Sequence, residues 1–426
     1  MPAGAGTPAA RIRLLLAHRL VQNTLVLFGV QISGYLLPLI TLPYLTRVLG
    51  PANFGLLALG TALALYFMVI TEYGFSLTAT RRVAIVHDDP AWVARVYSTV
   101  MASKAALLAP CFLALVAIVF AVPRLRPYWA LYLVSFLLVV GYALSPTWLF
   151  QGLQRMKLVA WPDYGAKIIS VALIFLLVRR SGDYLTAAAL QSGAFVISGA
   201  IGLAFVFLVL KIRPVKPARA DMREAMVEGW PVFLSMAAIT VTSSSNTVIL
   251  GMLASPAQVG YFSAATRLLV AARALINPVT NAVYPHMSLL ASRSREEALR
   301  FFRRRLVWVP VPFLAASVAL FVGAPYIVRL VYGACFAETG VLLRVMSLAV
   351  FMQAASTCFG AYYMLAFGYE KEWSKIVRWS MLVNFGLLAP LCFVMPPVYA
   401  VAVASTATDI YAAVHPAVFY YRTARR

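Results

Sequence analysis

The chain has 426 residues, of which 62% are hydrophobic and only 12% are charged. A soluble globular domain carries about a quarter of charged residues, so this composition excludes a soluble protein and indicates one embedded in lipid. The formal net charge of +22 fits a membrane protein whose lysines and arginines set its topology and attract anionic lipid headgroups, so we expect no nucleic-acid partner.

The first predicted element is a membrane hairpin. Between Arg19 and Arg47 lie 27 residues without a charge, whereas a helix needs only about 20 residues to cross the ~30 Å hydrocarbon core. This run is also too long for the hydrophobic segment of a signal peptide. A helix over 21–46 is therefore expected to stay in the protein, followed by a turn at 47–55 and a second helix.

The remaining apolar runs predict further membrane helices. Backbone groups inside hydrocarbon must be paired internally, which permits helix bundles or closed barrels, and the runs lack the alternating pattern of barrel strands. We expect an all-α integral membrane protein of about twelve transmembrane helices. Their predicted spans are 21–46, 54–80, 98–121, 128–150, 160–178, 184–211, 229–253, 259–285, 306–331, 341–367, 375–395 and 397–421.

The distribution of positive residues predicts the orientation. An even number of spans places both termini on one side. Counting residues at the span ends with the nearer side, that side holds 25 lysines and arginines against 6 on the other, and the remaining 5 lie further inside the spans. Positive residues concentrate on the cytoplasmic side of membrane proteins. We therefore expect both termini in the cytoplasm and a location in the cytoplasmic (inner) membrane of a bacterium or archaeon.

A short repeat divides the chain. Pro51-Ala52-Asn53-Phe54-Gly55 after the first span resembles Pro256-Ala257-Gln258-Val259-Gly260 after the seventh, at an offset of 205 residues. Because six helices separate the copies, both halves would insert the same way up and be related by a parallel pseudo-two-fold axis. We expect an N-terminal lobe at 1–212, a cytoplasmic linker at 213–228 and a C-terminal lobe at 229–426.

The sequence contains no motif for binding a nucleotide or a metal ion. There is no phosphate-binding loop of an ATPase, the four histidines are isolated, and the four cysteines lack metal-ligand spacing and suit free buried thiols. We expect no enzyme activity, no metal and no cofactor.

Three stretches at the N-terminal end carry a family resemblance. They are Pro38 to Pro51 (PLITLPYLTRVLGP), Glu72 to Ser76 (EYGFS) and Arg81 to Ala84 (RRVA). They resemble the N-terminal signature of the polysaccharide-transport flippases, which belong to the multidrug/oligosaccharidyl-lipid/polysaccharide exporter superfamily and include the O-antigen flippases. The motif covers about 60 residues, and the exit of the fourth span, Phe150 to Arg155, is similar as well.

The resemblance implies two six-helix lobes facing each other across a central cavity. It further implies a substrate made of an oligosaccharide on a polyprenyl diphosphate, moved from the cytoplasmic to the outer leaflet without ATP hydrolysis for cell-surface polysaccharide (O-antigen or exopolysaccharide) synthesis. A polysaccharide polymerase and export machinery would be the implied protein partners, beside the membrane lipids.

Charges inside the spans are the candidate site residues, because a charge at mid-bilayer costs at least about 2.5–3.5 kcal/mol and usually faces a cavity or a partner. At 1.5 Å per residue, Arg267 and Arg273 lie roughly 12 and 21 Å into the eighth span. Together with Arg47 they are our primary candidates for binding the substrate diphosphate, since the resemblance places their helices around the cavity.

Other polar residues in the spans are weaker candidates. Lys104, Lys167 and Arg344 are secondary cations that are also able to snorkel to a helix end. The acids Glu72 and Asp409 either couple transport to an ion or only balance an arginine. A patch of hydroxyl and amide side chains at 240–247 on the seventh span, with Ser244 and Asn246 as candidate sugar contacts, fits a hydroxyl-rich ligand or ordinary packing of small residues.

Three alternatives remain open from the sequence. A multidrug exporter of the same fold would want anionic cavity residues, whereas here five in-span cations face three in-span acids, Glu72, Asp163 and Asp409. A peptidoglycan-precursor flippase would carry an arginine and an acid in the first helix, where this chain has neither. A membrane-embedded glycosyltransferase or polymerase would need a large outer loop or a cluster of catalytic acids.

Overall fold

The computed structural model describes residues 8–423, without the side chains of residues 8–36, 38, 39 and 159. Within this part of the chain every regular element is helical, as the sequence predicted. The α-helices are α1 Pro8–Glu72, α2 Phe75–Ile85, α3 Pro90–Ala121, α4 Trp129–Ser135, α5 Leu137–Leu144, α6 Thr147–Gly152, α7 Lys157–Leu177, α8 Tyr184–Leu208, α9 Arg219–Leu253, α10 Pro256–Ala274, α11 Asn277–Arg293, α12 Arg295–Arg305, α13 Val311–Tyr332, α14 Ala337–Met346, α15 Leu348–Ser356, α16 Glu370–Val394 and α17 Pro397–Thr423. A π-helix, Thr357–Leu365, continues α15.

The described residues contain ten helices long and apolar enough to cross a membrane, or eleven if α10 and α11, which meet at a 42° bend, form one span. We predicted about twelve, and most of the first predicted span, 21–46, lies outside the residues with described side chains. The predicted fifth span, 160–178, corresponds to α7. A multi-pass helical membrane protein is thereby confirmed.

The first hairpin turns more tightly than predicted. Instead of a turn at 47–55, the break within α1 is confined to Gly50, at φ 73° and ψ 172°. Such a backbone conformation favours glycine. Pro51 then opens the next helical stretch, where its fixed φ suits a first helical position.

Not every proline or glycine in a span produces a bend. Gly74, with φ 79°, separates α1 from α2, and Pro278 follows the bend between α10 and α11. Pro231 and Pro285 instead lie inside the continuous helices α9 and α11. Such prolines are tolerated in membrane helices because neighbouring helices and side chains form hydrogen bonds with the backbone groups that proline leaves unpaired.

The chain forms two compact units, and the first comprises residues 1–48 and 60–244. Its core includes Phe75 and Val83 of α2 with Trp148 and Phe150 of α6, all at most 2% exposed. In the same unit α8 packs closely on α5, because Gly141 lies against the backbone of Phe195.

The second unit comprises residues 49–59 and 245–426. An aromatic cluster holds it together, in which Phe302 of α12 lies 5.0 Å from the ring of Tyr420 on α17 and 5.9 Å from Phe359 in the π-helix. The bounds of these two units differ from those of the lobes predicted at 1–212 and 229–426. Residues 49–59 belong to the second unit and residues 229–244 to the first. The predicted lobe boundaries and linker stay predictions.

The two copies of the predicted repeat meet inside the second unit. Gly55 lies against the backbone carbonyl of Pro256, and Gly260 lies against the backbone carbonyl of Pro51. A Cβ atom at either glycine would overlap that carbonyl, which explains why both copies end in glycine. A reciprocal contact of this kind is what a two-fold relation produces, so it is consistent with the predicted parallel repeat.

Candidate functional site

The charges inside the spans are mostly paired. Three of the five cations each bind one of the three acids. The pairs are Lys104 with Glu72, Lys167 with Asp163 and Arg273 with Asp409. Pairing compensates the cost of placing charge in a membrane. Arg267 and Arg344 are the in-span cations left without a carboxylate among the described residues.

The Lys104–Glu72 pair is a packed contact. Lys104 on α3 donates from Nζ to Glu72 Oε1 at 2.6 Å, and its side chain is 1% exposed. Glu72, at the end of α1, is 21% exposed. Since the ammonium is enclosed by protein, this geometry favours charge balance over binding of a substrate.

The Lys167–Asp163 pair lies within α7, and Asp163 also bonds to α8. Lys167 donates to Asp163 Oδ2 at 2.6 Å, one helical turn away, and its Nζ lies 5.6 Å from the centre of the Phe195 ring. Ser198 of α8 donates to the other Asp163 oxygen at 2.9 Å. Asp163 is a residue that our site prediction left out, although its i, i+4 spacing from Lys167 was visible in the sequence.

Arg273 and Asp409, both predicted as site residues, are brought together. Arg273 on α10 donates from Nη2 to Asp409 Oδ2 on α17 at 2.5 Å, and their side chains are 28% and 21% exposed. The Arg273 Nε is buried and has no hydrogen-bond partner within the part of the chain that the structure describes. The guanidinium is thus partly accessible, and one of its donors, the buried Nε, is unused.

Arg267 is in a different situation. Its side chain is exposed, and it forms no hydrogen bond or ion pair with a described residue. The phenol of Tyr332 is a polar neighbour of the guanidinium. Arg267 precedes Arg273 by six residues, which is about 9 Å along α10 and about 120° around it. The two arginines therefore face different directions.

Arg344 and Arg47 are both exposed. Arg344 donates from Nε to the carbonyl of Phe321 at 3.3 Å and lies 6.0 Å from the centre of its ring. Because Phe321 is the eleventh of the 22 residues of α13, the guanidinium contacts the middle of that helix, and its role as a secondary cation stays a prediction. Arg47 comes three residues before the break at Gly50.

The candidate sugar contacts are less accessible than we expected. Ser244 and Asn246 on α9 are only 5% and 7% exposed. Asn246 Oδ1 is buried without a hydrogen-bond partner in the described residues. Nearby Thr242 donates to the carbonyl of Ala238 within the same helix. Burial favours the packing interpretation, and a role in sugar binding stays a prediction.

A charged cluster that we did not predict lies where α2, α3 and α9 meet. Arg82 binds Glu224 and Glu228, and Arg95 binds Asp221. The three acids recur at i, i+3 and i+7, which places them on one face of a helix. That spacing is the signal with which the cluster was predictable.

Metal ligands do not gather in the described residues, where no group of three or more His, Cys, Asp or Glu side chains is able to hold an ion. The expectation that the protein uses no metal or cofactor stays a prediction.

Comparison with protein families gives a match over most of the chain. A family model described as "Polysaccharide biosynthesis protein" matches residues 20–291. The chain is also 33% identical over 371 residues to a "Putative O-antigen transporter" of Escherichia coli (strain K12), covering 87% of this chain and 89% of that protein. A protein of the same name from Shigella dysenteriae is 31% identical over 378 residues, covering 87% and 93%.

Solved structures of transporters share the fold. An inward-facing multidrug resistance transporter of the MATE family and MOP superfamily matches with a TM-score of 0.72 at 15% identity, covering 91% of this chain and 94% of that chain. The lipid II flippase MurJ in an inward closed conformation matches with a TM-score of 0.66 at 15% identity, covering 95% and 88%. At this identity the likeness concerns the fold alone.

Proposed function

Because the chain belongs to the polysaccharide biosynthesis protein family, we propose that it is a flippase for polyprenyl-diphosphate-linked oligosaccharide repeat units. It would move them from the cytoplasmic to the outer leaflet of the inner membrane for O-antigen or exopolysaccharide synthesis. Membership of a transporter family makes it a membrane transporter and not an enzyme.

One observation carries the proposal, namely the charge that remains after pairing. Glu72, Asp163 and Asp409 are each bound by a cation. Arg267 is left exposed and without a carboxylate in the described residues. An uncompensated guanidinium attracts an anion, and the diphosphate is the anionic part of the proposed substrate.

Arginine suits this task chemically. A diphosphate and its sugar hydroxyls lose their hydration if they enter hydrocarbon, at a cost of several kcal/mol for a hydroxyl and far more for an ion. The planar guanidinium donates paired hydrogen bonds to phosphate oxygens and stays charged at any physiological pH. We propose Arg267 as the first phosphate ligand, and Arg273 and Arg47 as ligands that contact the diphosphate at other stages of its passage.

Transport would proceed by alternating access, with rocking of two lobes about the breaks at Gly50 and Gly74. The polyprenyl chain would remain in lipid while the polar head passes through the protein. The chain has no phosphate-binding loop, so an ion gradient, the membrane potential or removal of the product would drive it. A polysaccharide polymerase and export machinery would take up the product.

The charge pattern argues against a multidrug exporter of organic cations. Such a protein needs an acid that is free to hold the drug, and the three in-span acids are occupied by cations of the chain itself. A peptidoglycan-precursor flippase remains the second candidate, since the fold of MurJ is similar and lipid II is likewise an anionic lipid-linked sugar.

Complementation tests the proposal. Strains lacking an O-antigen flippase or the lipid II flippase would express the chain, and surface polysaccharide and viability would be measured. We expect surface polysaccharide to return only in the first strain, and to be lost with Arg267→Ala. Rescue of the second strain alone would assign the chain to peptidoglycan synthesis, and rescue of neither with normal expression would count against the proposal.

A further inference from the structure

The first compact unit contains a charged pocket that the proposed transport path does not use. A cavity of about 180 Å³ lies where α2, α3 and α9 meet. A water molecule needs roughly 10–15 Å³ measured in this way, so the pocket has room for a small polar headgroup. Arg82, Arg95, Asp221, Glu224 and Glu228 line it together with Thr99 and Trp92.

The ion pairs of the pocket use only part of its hydrogen-bonding capacity. Arg82 donates from Nε to Glu228 Oε2 and from Nη2 to Glu224 Oε1, both at 2.6 Å. Arg95 donates to both oxygens of Asp221, at 2.6 and 2.7 Å. Within the described residues this leaves Nη1 on both arginines, Oε1 of Glu228 and Oε2 of Glu224 without a partner.

A buried hydroxyl adds to the unused groups. Thr99 lines the pocket and is 4% exposed, and its Oγ1 has no hydrogen-bond partner among the described residues. Burying a hydroxyl without a partner costs free energy, so such groups in native proteins usually bind water or a ligand. The pocket therefore offers donors and acceptors at once.

The net charge of the pocket specifies the ligand further. Three carboxylates outnumber two guanidiniums by one, so a positively charged group gains most from binding near Glu224 and Glu228. The free Nη1 donors of the arginines suit an anionic oxygen beside it, and Arg95 is 58% exposed. A ligand with adjacent ammonium and phosphate groups satisfies both halves.

The helices that line the pocket also carry exposed apolar residues. Ile85 of α2 and Val227 of α9 are 69% and 68% exposed. Trp92, which lines the pocket, is 36% exposed. Tryptophan is enriched where membranes meet water. The pocket thus lies at the predicted cytoplasmic boundary of the bilayer, within reach of a lipid headgroup.

We propose that this pocket binds the headgroup of phosphatidylethanolamine. The ammonium donates to the free oxygens of Glu228 and Glu224, the phosphate accepts from Nη1 of Arg95 and Arg82, and the acyl chains lie along the exposed apolar residues. Phosphatidylcholine has no N–H to donate and a bulkier cation, and phosphatidylglycerol has no cation, so neither satisfies the carboxylates. The bound lipid would join α9 to α2 and α3.

Native mass spectrometry of the purified full-length protein tests this with three lipids of equal chain length. Dioleoyl phosphatidylethanolamine, phosphatidylcholine and phosphatidylglycerol would be titrated separately. We expect phosphatidylethanolamine to bind about tenfold more tightly than either other lipid, because charge-assisted hydrogen bonds are lost in both. Equal affinity for the three lipids would overturn the proposal, and this comparison needs no variant that has to fold.

Two variants locate the binding. Glu228→Gln removes a carboxylate, and Thr99→Val replaces the buried hydroxyl with a methyl group of similar shape. Each should lower the affinity for phosphatidylethanolamine, Glu228→Gln by about tenfold. The matched control is Glu296→Gln in the exposed Arg300–Glu296 pair of α12, which should leave the affinity unchanged. If Glu228→Gln binds the lipid like the control, the site is not this pocket.

Discussion

Arg273 donates a hydrogen bond to Asp409, 136 residues later in the chain, and thereby neutralises the cation that its depth had marked as the most central one. Two predicted site residues are joined by this contact, so our proposal makes Arg267 the first candidate for binding phosphate. The Arg273 guanidinium still has an unused Nε donor and partial exposure. It is thus suited to a second contact that Asp409 orients.

We expect Arg273→Ala to reduce complementation at least about tenfold, the loss typical of one hydrogen bond to a charged group. Arg273→Lys should be intermediate, because an ammonium keeps the charge and loses the planar paired donors. The measurement is surface polysaccharide in a flippase-null strain at matched expression. Full activity of Arg273→Ala would show that the pair has no part in transport.

A control separates the lost cation from the stranded acid. Arg273→Ala leaves Asp409 without its partner, so the single variant also carries a stability defect. The double variant Arg273→Ala/Asp409→Asn removes the unpaired charge and should recover thermal stability without recovering transport. Recovery of both would mean that Arg273 only balances Asp409.

The buried pair of α1 and α3 is expected to act on stability. Glu72→Gln leaves the enclosed Lys104 ammonium without a carboxylate, which should lower the free energy of unfolding by about 3–5 kcal/mol. The double variant Glu72→Gln/Lys104→Met should regain most of it, as measured by denaturant unfolding in detergent micelles. Arg300→Ala, which breaks a pair more than 70% exposed on both sides, should change it little. A double variant no more stable than Glu72→Gln would refute the charge-balance interpretation.

The reciprocal glycine contact makes a prediction about the repeat. Gly55→Ala and Gly260→Ala each place a methyl group against a backbone carbonyl. A backbone carbonyl cannot rotate away as a flexible side chain can. We expect both to lower the melting temperature and transport. Gly193→Ala in α8 is the matched control, because no neighbouring atom lies within 4 Å of its Cβ position. If all three variants had the same melting temperature and transport activity, the close contact at Gly55 and Gly260 would have no structural or functional importance.

Cysteine labelling tests the predicted orientation of the chain in the membrane. In a variant without Cys111, Cys335, Cys358 and Cys392, a single Ser255→Cys should react with a membrane-impermeant maleimide in intact cells, since Ser255 is exposed and opens α10 on the predicted outer side. Ser292→Cys, exposed on the predicted cytoplasmic side, should react only after permeabilisation. The reverse pattern would invert the topology.

The fold was largely predictable, because the spacing between charges determines where a helix is able to cross lipid. Even the fifth span, interrupted by Pro162 and Lys167, forms a helix, α7. The tight break at Gly50 was not foreseen, since a sequence pattern marks a turn without giving its backbone angles. The repeat was visible, but not that Gly55 would meet the second copy.

The site was only half predictable. Depth along a helix marked Arg273 as the most central cation, but it carries no information on which cation packs beside Asp409 on α17. The same limit applies to Ser244 and Asn246, because a polar pattern on α9 does not tell which face neighbouring helices cover. Tertiary packing decides both, and for Arg273 it depends on Asp409, 136 positions later in the chain.

Transport by purified protein tests the role of Arg267 most directly. Proteoliposomes would contain wild type, Arg267→Ala, Arg267→Lys or the exposed control Arg300→Ala, with a polyprenyl-diphosphate-linked oligosaccharide as substrate, and its appearance in the opposite leaflet would be measured with a membrane-impermeant lectin. We expect transport by wild type and Arg300→Ala, a reduced rate for Arg267→Lys and a loss of at least about tenfold for Arg267→Ala. Transport by Arg267→Ala at the wild-type rate would contradict this role.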